Sequence, residues 1–448
     1  MSLNLVDFGA IGDDKEHDEN FDAFVRAFEN IENSSETVLY VPSGKYQIPI
    51  KDETRILHIP SNCTVYGDGR GKSSIKFVKR HSGKTFSVMD SKDGGDAYGI
   101  TIHDLDFVGG TLDKSNRVGA VEVSGSKILI KDCEFRYFAN HCLGVSGRYG
   151  QDWIVDGQYN SLESVNNLLN AMTSDVNITG CTIIDGGDGC FRSFGQKDLR
   201  FTNNLVDGTN AKKSAVLIDD NSTLDKIENI QINDNIIFSN NIIKGAGIFM
   251  GIGKAIISNN IVEAGRHTRG EITFHSFSLE QQVKGDGSIV GGAAIPFFYL
   301  NYMERRIQIH NNQCNNIFVF SGGHVDVNAN YVKSSKNDSL LIGVSPKQVL
   351  RYYDSIFMDR EDASSYNYIR NNILECNHEN VHGIAGILLR GIPQGESKNH
   401  RTLNNVFVNG NRHRFVKEDL LGNNATRPFA GFGQDATIYA TNIPSSEG

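Results

Sequence analysis

A short unit recurs along this chain: apolar-x-apolar, a polar residue, Asn-Asn, then apolar-x-apolar. It stands at residues 199–206 around Asn203-Asn204, and again around Asn240-Asn241, Asn259-Asn260, Asn311-Asn312, Asn371-Asn372 and Asn404-Asn405. Degenerate copies carry Asp132, Gly180 or Ala329 near the same position. Each copy reads as strand, tight turn, strand. Asn accepts the left-handed backbone that such a turn needs, and its side-chain amide can bond to a like amide stacked on it. A Gly-containing loop and a further short apolar run usually follow, as at 119–123, 215–218 and 271–274. Three short strands per turn, recurring at roughly 20–30 residues, describe a parallel β-solenoid.

Composition agrees where it bears on this. The chain of 448 residues has 46 Gly and, by count, 44 Asn, against only 8 Pro. That mixture supplies left-handed turns and is wrong for a disordered linker. Helical signal between the strands is scarce, which argues against βαβ winding. The length therefore predicts one elongated all-β domain of about ten to twelve rungs, in which 1–80 form a cap region with the first rungs and 81–448 continue it. Cys133 and Cys142 lie nine apart, as do Cys181 and Cys190. Consecutive rungs would stack the first pair under the second as buried thiols. Phe21, Phe24, Val25 and Phe28 fall at helical spacing and predict a short amphipathic helix that closes the open N-terminal end.

Charge excludes some partners. With 44 Lys+Arg against 53 Asp+Glu the formal net charge is −9, which disfavours nucleic acid and anionic membranes. No apolar run is long enough to span a bilayer. The first thirty residues lack a basic-then-apolar leader, so a soluble chain is expected, with secreted, virion-associated and cytoplasmic settings all open.

The opening residues 6–14, the helix, and then residues 39–46 (Leu-Tyr-Val-Pro-Ser-Gly-Lys-Tyr) resemble the start of the pectate-lyase superfamily. The branch it is most similar to includes phage tailspikes, polysaccharide depolymerases and glycan hydrolases. That resemblance implies a right-handed parallel β-helix, a polysaccharide or oligosaccharide as ligand, and a groove along the outside of one sheet. It leaves hydrolases, lyases, epimerases and adhesins open.

Period-two alternation sorts the groove strands. Inward Val121 and Val123 leave Glu122 outside, and inward Ile272 and Phe274 leave Glu271 and His275 outside. Arg192, one or both of Asp219 and Asp220, and Arg390 fall outward by the same parity, with Asp188 at a loop mouth. Two carboxyls on nearby rungs can divide acid and base roles at a glycosidic bond, so Asp188, Asp219, Asp220 and Glu271, with His275, are the expected catalytic groups. Glu122, Arg192 and Arg390 are expected to bind substrate. A lyase reading would use Arg192 with Asp219 or Asp220, the aspartates holding Ca²⁺; the hydrolase reading needs no cofactor.

The catalytic sets of relatives do not transfer whole. Polygalacturonase-like hydrolases carry Gly-Asp-Asp, Gly-His-Gly and Arg-Ile-Lys, and only Gly187-Asp188-Gly189 stands near the first. Residues 152–156 resemble a pectate-lyase segment, yet Gly157 stands where His should follow. Insertions at 148–173, 279–305 and 347–366 carry aromatics, Tyr149 and Trp153 among them. They are expected either to wall the groove and stack on sugars or to form a homotrimer interface.

Overall fold

The computed structural model describes residues 2–81, 87–110, 118–146, 173–187, 189–194, 196–211, 215–219, 235–244, 248–251, 255–263, 271–275, 282–283, 289–290, 306–320, 324–333, 340–345, 367–376, 385–390, 406–415, 427–432 and 438–444. Among them all strands but the antiparallel pair Gln282–Val283 and Ile289–Val290 form three parallel ladders. The first runs from Leu3–Asn4 through Val38–Val41, Thr64–Gly67 and Ile128–Lys131 to Ile438–Pro444. The second runs beside it through Gly44–Ile50, Glu134–Arg136 and Leu205–Asp207. The long strand Val406–Phe415 belongs to both, so the two count as one 26-stranded sheet. The third ladder is a separate 12-stranded sheet from Leu57–Ile59 to Arg427–Phe432. Each rung visits the ladders in turn. The chain is a parallel β-helix, with twelve rungs by the third ladder.

The turn between the first and second ladders explains the Asn repeat. Its first residue takes positive φ: Asn203 (58°), Asn240 (58°), Asn259 (56°), Asn311 (57°) and Asn371 (56°), with Asp132, Gly180 and Ala329 in the same conformation. The second Asn points inward and is fully buried. Asn204, Asn241, Asn260, Asn312, Asn330 and Asn372 each donate amide to amide to the next, ending on Asn411, at 2.8–3.2 Å. From Asn241 onward each side-chain oxygen also accepts the backbone N–H of the Asn one rung below, and each amide donates to a carbonyl there. Every turn thus satisfies buried backbone groups that would otherwise be orphaned.

The turn of the Val406–Phe415 rung is Gly410-Asn411, with Gly410 at φ 65° and Asn411 accepting from Asn372; the expected copy at Asn404-Asn405 lies outside the described residues. Buried Val408 fixes the alternation that brings Asn411 to the corner.

The cysteines stack as expected. Glu134 pairs with Thr182 and Leu143 with Phe191, setting Cys133 against Cys181 and Cys142 against Cys190. All four are buried free thiols, and burial pushes Cys181 and Cys190 up to about 12. Like residues stack elsewhere in the core: Phe201 and Phe238 lie 5.0 Å apart and nearly parallel.

The N-terminal helix is Asp18–Asn33, and its buried face is Asn20, Ala23, Phe24, Ala27, Phe28 and Ile31. Phe21 and Val25 sit at the edge of that stripe, partly buried. Phe21 is there because it carries the Arg55 guanidinium over its ring at 4.4 Å. No helix among the described residues is long and apolar enough to cross a membrane.

Candidate functional site

The third ladder presents a row of outward residues that differs at every rung. Leu57 and Ile59 are buried and His58 lies between them; Met89 and Ser91 are buried around Asp90; Val121 and Val123 around Glu122. Strand pairing aligns His58 with Asp90, Glu122 with Gly144, and Gly144 with Arg192 and Leu217 in turn. Met89 pairs with Val121 after a register shift, so Asp90 and Glu122 are neighbours too. The row reads His58, Asp90, Glu122, Gly144, Arg192, Leu217.

Two carboxylate–histidine pairs occupy its first half. His58 Nδ1 lies 2.5 Å from Asp90 Oδ1. His141 Nε2 lies 3.0 Å from Glu122 Oε1. The second pair depends on an absent side chain. A Cβ on Gly144 would stand 2.7 Å from His141 Nε2 and 3.1 Å from Glu122 Cγ. The imidazole therefore lies where a side chain of the next strand would be. The corner that carries His141 is pinned from both sides: Ala139 N–H donates to Val118 below, and Gly187, Gly189 and Cys190 bond to Phe138, Asn140 and Cys142.

Both acids are partly buried. The Asp90 side chain is 30% exposed, and desolvation holds its carboxyl above the usual range; the charge of nearby Glu122 adds to this, while His58 acts the other way. Glu122 is 37% exposed and His141 11%. Two carboxyls side by side on one row can divide acid and base roles. Arg192, two strands beyond Glu122 and half-buried, supplies a cation to the same row. Among the described residues no group of three or more His, Cys, Asp or Glu is arranged to hold a metal.

Of the residues expected from sequence, Glu122 and Arg192 are brought onto one row. Asp188, Asp220, Tyr149 and Trp153 lie outside the described residues. For Asp219, Glu271, His275 and Arg390 the backbone register is described. Asp219 pairs with Phe194 and leads on to Gly251, which pairs with His275. Glu271 pairs with buried Asn316, and Arg390 with Phe432. Asp219 and His275 thus share a row two rungs apart, whereas Glu271 stands four residues, about 13 Å, back along its strand.

His58 and Asp90 were not read from the sequence, although each is a polar residue alternating with apolar ones. His141 stands at a rung edge, between Glu134–Arg136 and Leu143–Ser146, where alternation along a strand assigns it no partner.

No family model matches this chain, and no curated protein matches it. Solved structures do. The A-module of the mannuronan C-5 epimerase AlgE6 of Azotobacter vinelandii aligns over 100% of both chains at 11% identity and a TM-score of 0.53. That of AlgE4, from the same organism, aligns over 98% of this chain and 100% of its own at 14% identity and a TM-score of 0.52. Together with the three ladders, these likenesses show that the chain has the parallel β-helix fold.

Proposed function

We propose that this chain is a carbohydrate-active enzyme that hydrolyses a polysaccharide bound along the outer face of the third ladder. The observation that carries the reading is the adjacency of Asp90 and Glu122 on one outer row, each with a histidine partner, and with the Asp90 carboxyl raised above the usual range chiefly by burial. The epimerases named above act on mannuronan, a polysaccharide, which supports a glycan as ligand. Asp188, Asp219, Asp220, Glu271 and His275 belong to the same proposal as further acid/base groups along the groove, Arg390, Tyr149 and Trp153 as contacts to a long chain.

A second reading, a lyase acting on uronates, is favoured by Arg192 on the row of Glu122, where a guanidinium would stabilise the enolate-like intermediate. Ca²⁺ would belong to that reading, with Asp219 or Asp220 as ligands.

One assay separates these. A panel of acidic and neutral polysaccharides is incubated with the protein, and new reducing ends and unsaturated uronate ends are measured together. Reducing ends alone support hydrolysis; both together support the lyase. Binding without cleavage across the panel would replace both with a glycan-binding adhesin, of the kind that forms trimeric phage tails. Within the enzyme reading, Asp219→Asn and Glu271→Gln tell whether the groove beyond Arg192 takes part: full activity in both confines the chemistry to the first rungs.

A further inference from the structure

We infer that the Asp90–Glu122 pair cleaves with retention of anomeric configuration, through a glycosyl ester formed on Glu122. This rests on the hydrolytic reading above. Its ground is geometric: the two carboxyls come from neighbouring strands of one parallel ladder and face outward on one row. Neighbouring strands lie about 4.8 Å apart. That spacing suits the ~5–5.5 Å between a nucleophile and its acid, and falls short of the ~6.5–9.5 Å that leaves room for an attacking water.

The histidines divide the roles. His58 engages only Oδ1 of Asp90 and leaves the other oxygen to carry the proton. His141 engages only Oε1 of Glu122 and holds that side chain from the Gly144 side, leaving Oε2 directed to a substrate. In the first step the Asp90 proton passes to the glycosidic oxygen, the bond from that oxygen to the anomeric carbon breaks, and Glu122 Oε2 bonds to that carbon. In the second, water gives a proton to Asp90 while its oxygen attacks the same carbon, and Glu122 departs as a carboxylate. Two inversions sum to retention. The only co-reactant is water.

Proton NMR of the first reducing ends released by the wild-type protein, on whichever polysaccharide of the panel it cleaves, reads the outcome directly. Retained configuration is expected. Glu122→Ala is expected to lose about 10²–10⁴-fold in rate, and sodium azide to restore part of it by giving a glycosyl azide of inverted configuration. Inverted first products, or an undiminished rate in Glu122→Ala, overturn the inference and leave hydrolysis standing. Failure to cleave any member of the panel overturns both. If Glu122→Ala does not fold, the wild-type NMR result decides alone.

Discussion

Two lines of residues cross successive rungs of this solenoid and behave in opposite ways. In the turn between the first and second ladders, seven consecutive rungs from Asn204 to Asn411 carry the same buried amide. On the outer face of the third ladder, six consecutive rungs carry His58, Asp90, Glu122, Gly144, Arg192 and Leu217. The turn meets one physical demand at every rung, namely partners for buried backbone groups. The outer row meets none that the fold imposes. Uniformity therefore marks what the fold requires, and variation marks where a ligand can set the choice.

The comparison predicts how the two lines respond to substitution. Asp90→Asn and Glu122→Gln should each lower glycan cleavage by about 10²–10⁴-fold while moving stability by no more than about 0.5 kcal/mol. A large loss of stability in either would make the outer row structural after all. Asn260→Ala should do the reverse. It strips the Asn241 N–H and the Phe238 carbonyl of buried partners, for about 2–5 kcal/mol in a denaturant titration. Cys181→Ala, at the equivalent corner in a lower rung, should lose only about 1 kcal/mol in the same titration; equal losses would show that the amides add nothing beyond packing.

Gly144→Ala sharpens the contrast inside the outer row. Its Cβ would displace His141 and reduce turnover on the order of 10²-fold, read as kcat with the fold intact by circular dichroism.

The smallest effect is expected from Asp106. This carboxylate, 2% exposed, accepts from Gly71 N–H with one oxygen and leaves the other unpaired, and burial raises it above 3.8. The folded protein therefore binds this proton more tightly than the unfolded chain, so stability falls as pH rises from 3.8 through the folded value. Asp106→Asn should be more stable than wild type at pH 7, and the gap should close as pH falls through that window. A gap independent of pH would assign the effect to something other than the charge.

Much of the fold was legible because its demands repeat. Asn-Asn pairs gave the left-handed turn and the amide line, and the nine-residue Cys spacings gave the stacking of Cys133 on Cys181. The outer row was legible only where alternation was clean, as at Glu122 between Val121 and Val123. Asp90 escaped because its strand is irregular: the register shifts between Ala120 and Val121, and Val88 and Met89 are both buried. His58 sits on a three-residue strand with no Asn turn to announce it. The grip of His141 on Glu122 over Gly144 joins three residues of two strands and a corner, and no periodicity encodes such a meeting.

The amide line also has a beginning. Below Asn204 the corner residues are Leu105, Cys133 and Cys181, none with an amide, and Asn204 Oδ1 accepts the N–H of Cys181. A run of identical steps cannot count itself, and a growing stack of like turns can slip by one without losing a bond. The change from thiol to amide between Cys181 and Asn204 marks where, among the described residues, this run of like steps starts. It serves as the origin from which the later rungs are numbered.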